Sequence, residues 1–224
     1  MIDKKINFDD FSQNHALWCA AETESGELAR CVDIMGKNNI DLISVVPSAV
    51  KTVWPWLEET GAKIMARFYL GEGGVSESNI SDMTKRINKA FKYGAHGAQV
   101  FLPYAMFADL VEQTHVIRDD LFFNKDLSIG LDINEIDSFD WDNVFDLLRK
   151  INASSLLLFM GKDDGNKSDF TGRIYGMLDM WQDNNKFDLH FVFGAKIMRI
   201  EQVGRLVQSL RPDLMKNTRF FVAA

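Results

Sequence analysis

Asp132 stands in the run LSIGLDI, where an ionisable side chain interrupts an otherwise apolar stretch. A carboxylate in such a setting is costly unless it meets a cation, a hydrogen-bond network or a substrate. Arg67, in the apolar run KIMARFYL, is the natural internal partner, so an Arg67–Asp132 ion pair competes with a catalytic use of the acid. Gln99, in AQVFL, can donate and accept but cannot exchange a proton near neutral pH, which leaves it to orient a substrate or water, or to serve as a satisfied core amide. Ser128 shares the run of Asp132, and His190 stands alone without metal-type spacing, which favours a structural imidazole. Lys162 and Lys196 each follow a further apolar run, so a phosphate or carboxylate could meet both; a solvated amine is the plainer reading of each. Asp132 with Glu72 or Glu135 would make an acid and base pair for glycoside hydrolysis if the carboxyls lay roughly 5 to 9.5 Å apart.

The elements that must hold these residues recur with a regular period. In KYGAHGAQVFLPY a helix ends at Tyr93, Gly94 supplies a left-handed cap, and a short buried strand closes at Pro103. Strands are predicted at 16–21, 41–46, 63–70, 98–102, 127–133, 154–160, 189–193 and 219–222. Between them Leu28, Val32 and Met35, then Val50, Val53, Trp54 and Leu57, then Ile80, Met83, Ile87 and Phe91 keep helical spacing. Pro55 is expected to bend or restart the second helix, Ser78 to cap the third, and a long fourth helix to run from Tyr104 toward Phe123. Further helices are expected at 140–151, 170–184 and 200–210. Eight strand-like runs at roughly 25 to 30 residue intervals call for a parallel sheet, and eight units in one chain favour an α/β fold closed as a single-domain (β/α)8 barrel over residues 1–224. No glycine-rich dinucleotide fingerprint follows the first strand, which argues against an open doubly wound sheet. A barrel of this kind carries its chemistry at the C-terminal ends of the strands, where Lys162 and Lys196 fall.

Composition narrows the partners. With 46% hydrophobic residues the chain can bury a large core, and its net charge of −7 offers no broad cationic face to nucleic acid or an anionic membrane. Cys19 and Cys31 lie twelve apart without metal spacing, as in a reduced cytosolic protein, and the opening MIDKKINFDD has no hydrophobic signal region. A cytoplasmic protein without metal or cofactor, and free to form a homo-oligomer, is expected.

The segments VVPSAVKTVWPWLEETGAKIMARFYLGEGG and KAFKYGAHGAQVFLPYAMF resemble the second to fourth units of the deoxyribose-phosphate aldolase family, class I Schiff-base aldolases on a (β/α)8 barrel. Pro47, Leu57, Gly61, Gly74, Tyr93-Gly94-Ala95, Val100, Pro103 and Tyr104 carry the likeness, which continues more weakly through LSIGLDINEI, ASSLLLFMGK and HFVFGAKIMRIEQ. The resemblance implies a carbon–carbon lyase acting on a small aldehyde or sugar phosphate. It also implies that Gln99 stands for the family's strand-four aspartate, Ser128 for a strand-five lysine, Leu157 for the Schiff-base lysine and Val192 for a second essential lysine. Asp132 matches a glutamate in kind, and Gly194 stands near one set of phosphate-binding glycines. Because imine chemistry needs an amine, the ordinary reaction is not expected at Leu157 or Val192. Three readings follow: a diverged aldolase using Lys162 or Lys196, with Asp132 as acid and Gln99, Arg67, Ser128 and Gly194 around a carbonyl or phosphorylated ligand; a noncatalytic barrel binding a small ligand or partner chain at an apolar mouth; and a carboxylate-based hydrolase.

Overall fold

A computed structural model of the chain describes residues 11–19, 24–71, 75–114, 125–159, 170–193 and 197–223. Eight strands occur in it: β1 His15–Trp18, β2 Leu42–Val45, β3 Lys63–Tyr69, β4 Gly97–Phe101, β5 Asp126–Asp132, β6 Ser155–Phe159, β7 Asp188–Val192 and β8 Thr218–Ala223. Each pairs in parallel with its neighbours in chain order, and β8 returns to β1 through Phe220 opposite His15 and Ala223 opposite Trp18. The sheet is a closed (β/α)8 barrel of one domain. Strands β2 and β4 are buried at every position, as expected of a parallel sheet covered on its outside and filled on its inside.

Helices α1 Ser25–Asn38, α2 Val50–Leu57, α3 Glu77–Lys92, α4 Phe107–Thr114, α5 Trp141–Lys150, α6 Phe170–Asp179 and α7 Ile197–Leu210 connect the strands among the described residues. Apolar residues at helical spacing, such as Ile80, Met83 and Ile87 of α3, join the outward residues Ile64, Ala66 and Phe68 of β3 in one core. A second, smaller cluster of Ala16, Leu42, Met65, Phe101, Leu157 and Phe221 fills the barrel itself. The two clusters follow from alternation, since successive residues of a strand face opposite sides.

Local details depart from the spacing in instructive ways. The cap of α3 is Ser76, whose hydroxyl accepts from the Asn79 amide at 3.3 Å, rather than Ser78. Pro55 neither ends nor restarts α2; a 3-10 turn at Pro47–Ala49 supplies the first turn and the helix continues through the proline to Leu57. The region after Pro103 begins with a 3-10 turn at Tyr104–Met106 before α4, and the part of the predicted helix beyond Thr114 lies outside the described residues. Gly94 has φ of +104°, and a side chain there would also collide with the Trp54 ring, so both backbone and packing demand glycine.

Candidate functional site at the strand-end mouth

The C-terminal ends of the strands present an aromatic closure. Phe101 at the end of β4 packs edge-to-face with Trp18 of β1, ring centroids 5.5 Å apart, and with Phe159 of β6 at 5.6 Å, while Tyr69 of β3 stacks on it at 5.1 Å. Trp18 also meets Phe221 of β8 at 6.1 Å. Phe101 reaches the barrel interior because Gly130 of β5 has no side chain: a Cβ there would fall within the phenyl ring. Tyr69 is 60% exposed, so the shelf is open to solvent on one side.

Beneath this closure lies Arg67, only 2% exposed, with its guanidinium 3.9 Å from the Trp18 ring centroid. It donates through Nη1 to the Ser44 carbonyl at 3.3 Å and through Nη2 to the Cys19 carbonyl, while Nε has no hydrogen-bond partner. Burial pulls the guanidinium below its ordinary value, yet an arginine does not give up its proton in a protein, so the site keeps a buried positive charge. Opposite Arg67 in register is Gln99, whose Oε1 accepts from the Ser44 hydroxyl at 2.5 Å and whose buried Nε2 has no partner. Ser128, opposite Gln99 across the next ladder, shares a 2.5 Å hydrogen bond with Ser155. The polar belt Ser44–Gln99 and Ser128–Ser155 thus crosses the barrel below the aromatics.

Asp132 and Arg67 are not ion-pair partners. Asp132 ends β5 and its carboxylate accepts from the Asn134 amide at 2.9 Å, capping the 3-10 turn Ile133–Glu135, while Arg67 lies deeper and spends its two terminal nitrogens on carbonyl oxygens. Glu135 likewise accepts from a backbone amide, that of Tyr104 at 2.8 Å. Both carboxylates are therefore engaged with backbone at the rim. Lys162, Lys196, Gly194 and Glu72 lie outside the described residues. Leu157 is fully buried in the barrel and Val192 packs against the same cluster. The Cys19 thiol, just after β1, is held up first by its hydrogen bond with Cys31 and then by burial, which disfavours its thiolate.

The mouth residues missed in the sequence are Trp18, Ser44, Phe101 and Phe159. Ser44 was signalled by a lone hydroxyl in the apolar run LISV, but the aromatics looked like ordinary core until the register placed them at one end. Among the described residues no cluster of His, Cys, Asp and Glu could hold a metal ion, and no helix is long and apolar enough to cross a membrane.

No protein-family model and no curated protein matches the sequence. Solved structures do share the fold. The aldolase QR15 superposes with a TM-score of 0.66 over 96% of this chain and 91% of its own, at 9% identity. The tetrameric deoxyribose phosphate aldolase from Aeropyrum pernix gives 0.61 over 81% and 76%, at 10% identity. The likeness is one of fold. Orotidine 5′-phosphate decarboxylase from Pyrococcus horikoshii OT3, at 17% identity, also matches, with 0.52 over 93% of this chain and 88% of its own. A (β/α)8 barrel is what these neighbours share with the chain.

Proposed function

We propose that this protein is a diverged aldolase-like barrel that holds a small carbonyl or phosphorylated ligand at the strand-end mouth without forming an imine on its strands. The observation that carries this is the placement of lysines: among the described strand residues Lys63 alone is a lysine, and it begins β3 at the rim opposite the mouth. Leu157 and Val192, where the resemblance expects amines, are apolar side chains packed under the aromatic closure. Buried Arg67, with a free Nε, and Gln99, with a free Nε2, are donors available to an oxygen-rich ligand that displaces Trp18. Their arrangement favours binding over proton transfer, since neither group exchanges a proton near neutral pH.

A second reading rests on Lys162 and Lys196, which follow the ends of β6 and β7 in the sequence by three and four residues. In that case the imine is made by one of these two amines, with Asp132 as the acid. Borohydride trapping with glyceraldehyde 3-phosphate, acetaldehyde and related aldehydes, read by intact mass, separates the two. The binding reading expects no adduct while a thermal-shift screen of the same compounds finds a stabilising ligand whose effect is lost in Gln99→Leu. An adduct abolished by Lys162→Ala or Lys196→Ala establishes one of these amines instead. Light scattering on the same samples tests the homo-oligomer.

A further inference from the structure

A cavity of about 330 Å³ opens at the N-terminal rim of the barrel, the end opposite the mouth. It is large enough for a small ligand, since ligand sites begin near about 300 Å³. Its wall is built from strand beginnings and the residues just before them: Asp41, Lys63, Asp126, Asp188, Lys216 and Arg219 supply three positive and three negative charges. Two pairs neutralise one another, Lys63 with Asp126 at 2.9 Å and Arg219 with Asp41 at 3.4 Å. Asp188 and Lys216 form no ion pair among the described residues. His190 lines the inner end, is 7% exposed and has a buried Nδ1 without a partner. Ser128 and Ser155 complete that end.

We infer that this cavity binds a small zwitterion of amino-acid size, its ammonium on Asp188, its carboxylate on Lys216 and the rest of the molecule toward His190. The charge inventory decides the class. A simple anion entering here meets three carboxylates, a simple cation meets three cations, and an apolar molecule strips water from six charges without replacing it. Only a ligand carrying both signs answers the unpaired carboxylate and the unpaired ammonium together. Asp188 is held above the ordinary carboxyl range, chiefly by burial, which a ligand ammonium would relieve. Barrel rims at this end ordinarily serve stability, and the two closed ion pairs fill that role; the unpaired Asp188 and Lys216 beside a buried imidazole do not.

The test is calorimetric titration of the full chain with glycine, L-alanine, L-serine and β-alanine, against acetate and ethylamine as single-charge controls. Saturable binding by at least one zwitterion, with neither control competing, is expected. Asp188→Asn and Lys216→Ala should each weaken it about tenfold or more without lowering the melting temperature, because Lys216 is exposed and asparagine keeps the shape of Asp188 without its buried charge. Absence of binding by all four zwitterions overturns the inference. So does binding matched by acetate or ethylamine, or binding untouched by both substitutions. None of these outcomes depends on what occupies the mouth, since Asp188 and Lys216 lie at the other rim.

Discussion

Phe101 occupies the space that Gly130 leaves empty, so that one aromatic side chain from β4 closes the barrel across the face of β5. The two residues act as a unit. Gly130→Ala should cost about 1–3 kcal/mol by overpacking, and Phe101→Ala about 3–5 kcal/mol by leaving a cavity. In Gly130→Ala with Phe101→Leu the new methyl meets a smaller neighbour, so the loss measured by urea denaturation should fall clearly short of the sum of Gly130→Ala and Phe101→Leu measured singly. Additive losses would mean that the ring does not depend on the glycine.

The Ser44–Gln99 hydrogen bond makes a second coupled pair. Ser44→Ala leaves both polar ends of the buried amide bare and should cost about 1–3 kcal/mol. Ser44→Ala with Gln99→Met removes donor and acceptor together and should recover part of that loss. Equal stability of the single and double variants would show that Gln99 is satisfied in another way.

Arg67 holds the Cys19 and Ser44 carbonyls and stacks on Trp18, a combination that a lysine cannot reproduce. Arg67→Lys is expected to lower stability by about 2–3 kcal/mol and to change the tryptophan fluorescence as the Trp18 ring loses its planar partner. An unchanged emission spectrum would contradict the stacked geometry.

Acid should destabilise the protein through its buried imidazoles. Burial lowers His190 to about 3 and His15 to about 4, with Arg219 and Lys63 pushing His190 the same way. The unfolded chain takes up these protons near 6.5, so it binds more protons than the folded one and stability falls as pH drops below that value. Each histidine contributes about 1.4 kcal/mol per pH unit in that window. His96, also lowered chiefly by burial, adds in the same direction. Asp188 works oppositely, because its raised carboxyl favours the fold at low pH and loses that benefit as pH rises through its folded value. Chemical denaturation of His190→Phe in an Asp188→Asn background should therefore show a shallower decline below pH 6.5 than Asp188→Asn alone. An identical slope would mean that His190 is protonated in the folded state.

Much of the architecture was legible in the sequence because each strand and helix is a local pattern. Apolar runs bounded by Pro47, Gly94 and Pro103 set the eightfold alternation, and the apolar character of Leu157 and Val192 is plain in the chain itself. Strand limits shifted by a few residues, and Ser76 displaced Ser78 as a cap, since two serines in SESN offer the same chemistry to one helix start. The Arg67–Asp132 pairing could not be judged from composition: it depends on depth along two strands, and depth is set by barrel register. Register puts Arg67 beside Gln99 and leaves Asp132 at the rim as a local cap.

The sequence by itself determined the repeating unit and its alternating faces, because both are properties of neighbours along the chain. Only the tertiary structure decided which side chains share an end of the barrel. Closure brings Trp18, Phe101, Phe159 and Phe221 into one lid, and it joins Asp41 to Arg219 across 178 residues at the opposite rim. The physical reason is that ring closure and register are set by hydrogen bonding and packing among all eight strands at once, which no local spacing contains.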